Sequence, residues 1–440
     1  MNDIIEDLLK IYISCIDSYN SKIYQTINDK YTIIDKSMLA IYQYIKILED
    51  KNERDQEAID VLTSYILKQI IYSETGNIVF EIVDKSKVDL YNEILDELVI
   101  EKFDYKNRIM KKLKYNYKKI KPNKYSNLIS FLEDIAEFSL FQKLVLRGNQ
   151  EAVMLLKKIK NKILAQSSNL NTNDYFYHEK QKIIDLINTN EFFESQYGKL
   201  SLVALNLKDV YRYSNLPSQL PENVLLHQYT MTVMSIMMAE YCNNNLEDKF
   251  DLYTIIVKSL FHDFGEYKGT EIITHFKNYN ETTKKMFAEI EEKDEKELEN
   301  QIGTNLYIII SNYKNGLEGY LSELIDKMLG IMKLWVEVGY FNNNTHIKSI
   351  NSIYQDRFKR FLRIEKIDNV HNKDFYLELL REYYIYIKEH LVEKDLNYFF
   401  KYFTEEELQQ FRSEIKLLKD NPNEFLKSWK LIEKVGKIWI

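Results

Sequence analysis

The shortage of glycine and proline constrains this chain more than any other feature of its sequence. Only 11 Gly and 4 Pro occur among 440 residues, too few to punctuate a protein built from many strands and tight turns. Apolar residues instead recur nearly everywhere at the spacing of an amphipathic helix. One such stripe consists of Leu128, Phe131, Leu132, Ile135 and Phe138. The sequence therefore predicts an all-α fold.

The charge and the cysteine content exclude several classes of protein. The formal net charge is -7, with basic and acidic residues mixed, which argues against a general nucleic-acid-binding surface but leaves a local basic groove open. Cys15 and Cys242 are too few for a disulfide framework or a cysteine-based zinc site. The acidic, amphipathic N-terminal segment is unlike a signal peptide, and no run of about 18 apolar residues predicts a membrane span. We expect a reducing cytoplasm.

The polar stretch "QSSNLNTNDY", residues 166–175, is the best candidate for a domain boundary. It lacks apolar periodicity, as is typical of a loop. We therefore expect a helical domain over residues 1–172, and a second domain with a C-terminal helical extension over residues 173–440. Another loop is expected at 213–223, which holds two of the four prolines. The acidic run at 289–300 is typical of a solvated helical face.

The segment "LFHDFGEYKG", residues 260–269, places ionisable side chains directly after an apolar helix. His262 and Asp263 are adjacent, and Glu266 follows one turn later on roughly the same side. Desolvating charged groups is costly unless something pairs with them, and an imidazole beside a carboxylate suits a divalent transition metal. The segment therefore indicates a metal site, with Glu266 positioned to orient or deprotonate a water.

A metal site of this kind needs ligands from other helices. His227 lies on the preceding apolar helix, in "ENVLLHQYTMTVMSIMMAEY", and Asp326 is an isolated acid on a later one, in "YLSELIDKMLGIMKLW". A lone histidine on an apolar helix is more often a satisfied core residue than a ligand, so the prediction depends on the ordered set. The other histidines have polar surroundings and are expected at the surface: His178, His346, His371 and His390.

This order of ligands on three helices resembles the HD superfamily of metal-dependent phosphohydrolases. Over roughly residues 195–345 the flanking segments are similar to its bacterial 5'-deoxynucleotidase branch, in which an arginine precedes a loop and a Glu-Asn-Val segment leads to the first histidine. The resemblance implies an HD-domain helical bundle that holds one divalent transition metal ion. Mn, Co or Fe is favoured, with Zn and Mg as alternatives, and the implied ligands are His227, His262, Asp263 and Asp326.

The resemblance also implies roles for residues around the ligands. Glu266 matches the catalytic glutamate of the family, and Glu271 matches an aspartate that assists it. Arg212 and Lys277 match residues that bind the substrate phosphate, although Arg212 taken alone is equally compatible with a surface cation. The sequence departs from the family where Glu271 replaces a shorter aspartate and a His-Phe pair replaces Pro-Val. We therefore expect a changed substrate pocket.

The N-terminal half contains a faint second copy of the motif region. The segment "LKQIIYSETGNIVFEIV", residues 67–83, aligns with residues 257–273, with Tyr72 in the place of His262. Asp134 falls in the place of the last ligand. Chance similarity between two Ile-rich helical regions is the alternative. If the duplication is real, residues 1–172 form a degenerate HD-like domain without a metal site, which supports, dimerises or regulates the active one.

The function implied is hydrolysis of a nucleotide phosphomonoester, as by a 5'-nucleotidase, with a small-molecule nucleotide as the substrate. Alternatives within the superfamily are a phosphodiesterase, a triphosphohydrolase and an alarmone hydrolase. A non-catalytic nucleotide sensor or helical scaffold is a third class, although a scaffold has no need of four metal ligands in order. The sequence does not select the base, the sugar or the number of phosphates, and it leaves a homodimer open.

Overall fold

The fold is helical, as the shortage of glycine and proline predicted. The computed structural model describes residues 2–20, 22–25, 30–70, 123–168, 170–212, 218, 222–268, 280–341, 370–376, 378–379, 383, 409 and 413. Within these ranges, one short antiparallel hairpin of strands interrupts the succession of helices. The all-α prediction is confirmed.

The described residues form α-helices, one hairpin of strands and two short 3-10 turns. The hairpin consists of β1 (Lys22–Gln25) and β2 (Lys30–Thr32). Short 3-10 turns lie at Phe192–Glu194 and Phe264–Lys268. The α-helices are α1 (Asn2–Asn20), α2 (Ile33–Lys51), α3 (Gln56–Lys68), α4 (Lys124–Leu146), α5 (Glu151–Ser167), α6 (Tyr177–Asn188), α7 (Gln196–Leu207), α8 (Val224–Asn245), α9 (Leu252–Phe261), α10 (Glu281–Ile302), α11 (Thr304–Ser311) and α12 (Gly316–Phe341).

Helices α2 and α8 are buried on nearly every side and form the centre of the core. In α8, every side chain from Val224 to Ala239 is buried. Helix α2 packs against α4, α7 and α8, whereas α8 also packs against α9 and α12. A helix that is apolar all round needs neighbours on every side. The packing brings together the three helical segments that carry His227, His262 and Asp326.

Side-chain caps determine where the site-bearing helices begin. The Asn223 side chain accepts a hydrogen bond from the backbone N–H of Leu226 at 2.8 Å and caps α8. The Asp251 carboxylate accepts one from Thr254 at 2.8 Å and caps α9. Such caps stabilise a helix by about 1 kcal/mol each. The first cap fixes the start of α8, and therefore sets His227 in its first turn.

Helix α9 ends at Phe261, one residue before His262, and does not continue through Glu266. Residues 264–268 form a 3-10 turn, in which the backbone N–H of Glu266 donates to the carbonyl of Asp263 at 3.0 Å. Gly265 lies in this turn and is a weak helix former. Residues three apart eclipse one another in a 3-10 turn. Glu266 therefore lies one 3-10 turn after Asp263, and its place on the same side as His262 stays a prediction.

The two halves of the chain share one hydrophobic core. Tyr42 on α2 donates its hydroxyl hydrogen bond to Gln228 Oε1 on α8 at 2.6 Å. Its ring centroid lies 5.0 Å from that of Phe261 and 5.1 Å from that of Phe264. Helix α2 thus packs directly under the segment that carries His262 and Asp263. The domain division at residue 172 stays a prediction.

The proposed duplication also stays a prediction. Tyr72 lies outside the described residues. Asp134 is on α4, where its carboxylate accepts from Lys162 Nζ and Gln166 Nε2 of α5, at 2.7 Å each. The apolar stripe of α4 that begins at Leu128 is buried as expected.

Several surface predictions are confirmed. The acidic run at 289–300 lies on α10, and most of its side chains are exposed. His178 and His371 are exposed, whereas His346 and His390 lie outside the described residues. None of the described helices combines the length and the apolar character needed to cross a bilayer.

Candidate metal centre

Side chains from three helical segments converge beside the first turn of α8. Nε2 of His262 lies 2.9 Å from Asp263 Oδ2, and Nε2 of His227 lies 4.0 Å from the same oxygen. Oδ1 of Asp326 lies 3.1 Å from His227 Nε2 and 4.0 Å from His262 Nε2. His227, His262 and Asp263 each offer a ligand atom within 4.8 Å of the others. The structure therefore brings together the four residues that the sequence predicted as ligands.

Both histidines are oriented through Nδ1, which leaves Nε2 facing the carboxylates. Nδ1 of His227 lies 3.2 Å from Glu222 Oε1. Nδ1 of His262 lies 2.8 Å from the backbone carbonyl oxygen of Ser259. An acceptor at Nδ1 holds a proton there, so Nε2 is the nitrogen that an ion can bind in place of a proton, which is how proteins orient metal-binding histidines. The donor set of two imidazoles and two carboxylates suits a divalent transition metal.

The surroundings of the His262 Nε2 atom indicate whether a metal ion fits this site. It is buried and makes no aligned hydrogen bond, although Asp263 Oδ2 lies only 2.9 Å away. A lone pair facing a carboxylate oxygen at this distance is repulsive unless a cation or a proton lies between them. Neighbouring ligands of an ion with bonds of about 2.1 Å are separated by about 3 Å. The residues present therefore fit a divalent ion.

Glu222 is a member of the site whose contribution the sequence did not reveal. Its side chain is 7% exposed and forms a hydrogen bond with His227. Burial opposes ionisation, but the hydrogen bond from His227 and the charges of Arg212 and Lys333 lower the pKa of Glu222. The sequence marked Glu222 only as the start of the Glu-Asn-Val segment, directly before Asn223, the cap of the helix that carries His227. An acid there is close to the first helical turn.

Opposing influences act on the ligand side chains. Burial and the charge of Arg212 lower the pKa of His227, but hydrogen bonds with Asp326 and Glu222 outweigh them and raise it. Burial opposes ionisation of Asp263, yet His262 and Arg212 hold its pKa well below its usual range. Burial likewise opposes ionisation of Asp326, and Lys327, His227 and Arg212 together lower its pKa. Both carboxylates are therefore ionised and available to a cation.

Arg212 lies against the carboxylates and is not a surface cation. Nη1 is 3.0 Å from Asp263 Oδ2, and Nη2 is 3.5 Å from Asp326 Oδ1. Its side chain is only 10% exposed. Its backbone N–H donates to the carbonyl of Glu222 at 2.8 Å. This bond closes the loop between the two residues and keeps the guanidinium next to the histidine pair.

A buried ion pair on α12 connects this loop to the helix that carries Asp326. Lys333 Nζ donates to Glu337 Oε1 and to Ser218 Oγ, both at 2.8 Å, and Ser218 Oγ donates to Glu337 Oε1 at 2.6 Å. The side chains of Lys333 and Glu337 are 1% and 0% exposed. Lys and Glu four residues apart are usual on solvated helices. No sequence signal therefore set this pair apart.

Of the remaining predicted site residues, Glu266 is the one that lies among the described residues. Glu266 lies in the 3-10 turn after Asp263 and is partly exposed. Glu271 and Lys277 lie outside the described residues, as does most of the loop at 213–221.

Comparison with known proteins identifies the segment that carries this geometry. Residues 200–383 match a family model described as 5'-deoxynucleotidase YfbR-like. The match includes Arg212, both histidines, Asp263 and Asp326, and it extends beyond the 195–345 range expected from the motifs. No curated protein and no solved structure matches the chain. The family is of the HD type, which implies a divalent metal ion. The resemblance that the motifs predicted is confirmed: residues 200–383 are similar to the YfbR-like 5'-deoxynucleotidase family of the HD superfamily.

Proposed function

We propose that the chain is a divalent-metal-dependent phosphohydrolase that removes the phosphate from a nucleoside monophosphate. The observation that carries the proposal is the pair of histidines, His227 and His262, whose Nδ1 atoms are engaged while their Nε2 atoms face Asp263 and Asp326. The description of the matched family as a 5'-deoxynucleotidase supports a nucleotide as the substrate.

His227, His262, Asp263 and Asp326 hold one ion in this proposal. A ligand set that mixes imidazoles with carboxylates favours Mn²⁺, Co²⁺ or Fe²⁺ over Mg²⁺. Mg²⁺ prefers a site in which every ligand is an oxygen. When bound, the ion supplies Lewis-acid chemistry, polarising a phosphoryl oxygen and lowering the pKa of a water nucleophile. Glu222 and the Ser259 carbonyl keep the two imidazoles in the tautomer that binds.

Glu266 orients the attacking water and accepts its proton. It lies one 3-10 turn after Asp263 and is partly exposed, so its carboxylate is accessible to the substrate side. The water oxygen forms a bond to phosphorus, and its proton passes to the Glu266 carboxylate. The bond from phosphorus to the sugar oxygen breaks, and that oxygen takes up a proton as the nucleoside leaves. A positioned general base contributes roughly 10²- to 10⁴-fold to such a rate.

Arg212 neutralises the phosphate. A guanidinium has five N–H donors in a planar fork, and the contacts to Asp263 and Asp326 hold its plane at the site. The charge that develops on the phosphoryl oxygens is then stabilised by donors already in position. Glu271 and Lys277 are assigned by the family resemblance to water positioning and to phosphate binding.

The experiment is a screen of nucleotides for released phosphate with the full-length protein. The protein is stripped with a chelator and reloaded with Mn²⁺ or Co²⁺. We expect nucleoside monophosphates to be hydrolysed and the stripped protein to be inactive. Turnover confined to cyclic nucleotides, triphosphates or alarmones would replace the proposed substrate class. Binding of the ion with no hydrolysis of any nucleotide would contradict the enzyme assignment.

A further inference from the structure

Tyr313, in the turn between α11 and α12, lies against the metal centre although no motif marked it. Its ring centroid is 6.3 Å from that of His262, and the two rings are inclined by 62°, an edge-to-face arrangement. The backbone N–H of Tyr313 bonds the carbonyl of Ile310 at 3.3 Å, at the end of α11. The ring therefore packs on the imidazole that faces Asp263.

The hydroxyl of Tyr313 is an uncommitted donor. Across the part of the chain that the structure describes, it makes no hydrogen bond, whereas two fully buried tyrosines nearby do. Tyr42 donates to Gln228 Oε1 at 2.6 Å, and Tyr383 donates to the carbonyl of Met328 at 2.7 Å. Tyr313 is partly exposed. A bound molecule can therefore reach its hydroxyl.

Acidic side chains of the metal centre act electrostatically on this tyrosine, and Lys314 Nζ lies 5.1 Å from its ring centroid. Burial is the largest cause that raises the pKa of Tyr313, and the charges of four acids add to it: Asp263, Asp326, Glu323 and Glu266. These carboxylates also repel a phosphate dianion, so donors are needed to offset them. A phenol hydroxyl supplies a donor without placing another charge in the site.

We propose that the hydroxyl of Tyr313 donates a hydrogen bond to the phosphate of the bound substrate. This role rests on the proposed function, because the phosphate must approach the ligands His262 and Asp263 to react. The edge-to-face contact with His262 places the Tyr313 ring beside the metal centre. A hydrogen bond to an ionised acceptor is roughly twice as strong as one between neutral groups. Tyr313 is thus a substrate-binding residue in the turn between α11 and α12.

The test is the substitution Tyr313→Phe, which keeps the ring on His262 and removes only the hydroxyl. We expect KM for a nucleoside 5'-monophosphate to rise by roughly 10-fold or more, with a smaller change in kcat. The dissociation constant of inorganic phosphate from the Mn²⁺-loaded protein, measured by calorimetry, should rise by the same factor. The metal content should stay unchanged.

A matched control is Tyr307→Phe. Tyr307 also lies on α11, where it packs partly buried against the hydrophobic core. We expect its KM and its affinity for phosphate to equal those of the unsubstituted protein. This comparison separates loss of a substrate contact from general loss of a tyrosine hydroxyl in this region.

Two results would overturn the inference. One is a phosphate affinity for Tyr313→Phe within about twofold of the control. The other is a raised KM with unchanged phosphate affinity, which would assign the hydroxyl to the sugar or the base. Because phosphate binding is measured without turnover, absence of hydrolysis in the unsubstituted protein would sink the proposed function alone.

Discussion

Asp326 and Asp134 look alike in sequence, since each is an acid on an apolar helix, but their surroundings differ. Asp326 is 7% exposed, and its Oδ1 lies 3.1 Å from His227 Nε2. Asp134 accepts hydrogen bonds at 2.7 Å from Lys162 and Gln166, the first of which is largely exposed. The Asp326 carboxylate lies among side chains from several helices. The Asp134 carboxylate instead accepts hydrogen bonds from long side chains of the neighbouring helix α5.

The difference shows what an acid on an apolar helix indicates and what it does not. The Asp134 and Asp326 side chains are about equally buried, at 13% and 10% exposed. Burying a charged carboxylate without partners is costly, and Asp134 finds its partners on the adjoining helix α5. Asp326 meets Arg212 and His227, which lie more than a hundred and nearly a hundred positions earlier in the sequence. Long-range convergence therefore distinguishes a site from a satisfied helix.

The largest effect is expected from removing the charge of Asp326. The substitution Asp326→Asn should abolish metal binding and reduce turnover to background, because a neutral amide is a poor ligand for a divalent ion. The matched variant Asp134→Asn should keep both properties, because Lys162 and Gln166 make their contacts outside the centre. Metal content by elemental analysis and phosphate release check the pair.

Equal loss of metal in both variants would break this comparison. It would mean that the helix α4 carries a ligand or that the metal sits elsewhere. Loss in neither would exclude Asp326 from the ligand set.

The substitution Glu266→Ala sharpens the distinction between holding the ion and using it. We expect the metal content to stay at its original level and kcat to fall by at least about 100-fold, as for a lost general base. Glu292→Ala, on the exposed face of α10, is a suitable control because Glu292 pairs with Lys296 of the same helix and not with the centre. Loss of both the metal and turnover in Glu266→Ala would indicate that Glu266 is a metal ligand.

A smaller effect is expected from Glu222→Gln. Loss of the charged partner of His227 should weaken metal affinity by roughly 10- to 100-fold, as is usual for groups that orient a ligand. Glu49→Gln is the matched buried acid: Glu49 accepts from the hydroxyl of Tyr253 at 2.6 Å and from Arg54 at 2.8 Å, away from the centre. Its metal affinity should not change. Calorimetric titration with Mn²⁺ compares the two, and identical affinities would remove Glu222 from the site.

The smallest effect is expected from Tyr42→Phe. The lost bond to Gln228 should lower the free energy of unfolding by about 1–2 kcal/mol, while kcat changes by less than about twofold. Denaturant titration gives the first quantity and phosphate release gives the second. A large fall in kcat at unchanged stability would show that α2 contributes more to the site than packing.

The sequence anticipated the elements whose cause is local or repetitive. Helical periodicity predicted the buried stripe at Leu128, and the ordered motif predicted that His227, His262, Asp263 and Asp326 would meet. Site residues that are recognised by their type and spacing can be predicted correctly as long as the chain packs as helices.

The parts that sequence reasoning missed depend on contacts between distant turns. Lys333 and Glu337 have the spacing of a solvated pair, and only the tertiary packing buries them. Tyr313 lies in a polar turn, "SNYKNG", that resembles an ordinary connection. Helix α9 ends before His262, close to Gly265 in the 3-10 turn. The periodicity of apolar residues does not predict where this helix ends.

We propose that His227, His262, Asp263 and Asp326 together hold one divalent ion. Anomalous diffraction from crystals of the Mn²⁺-loaded protein, recorded near the manganese absorption edge, would locate that ion. We expect one peak at about 2.0–2.2 Å from Nε2 of both histidines, and no peak there in Asp326→Asn crystals. A peak bound by other residues, or none at this position in protein that hydrolyses nucleotides with Mn²⁺, would contradict the claim.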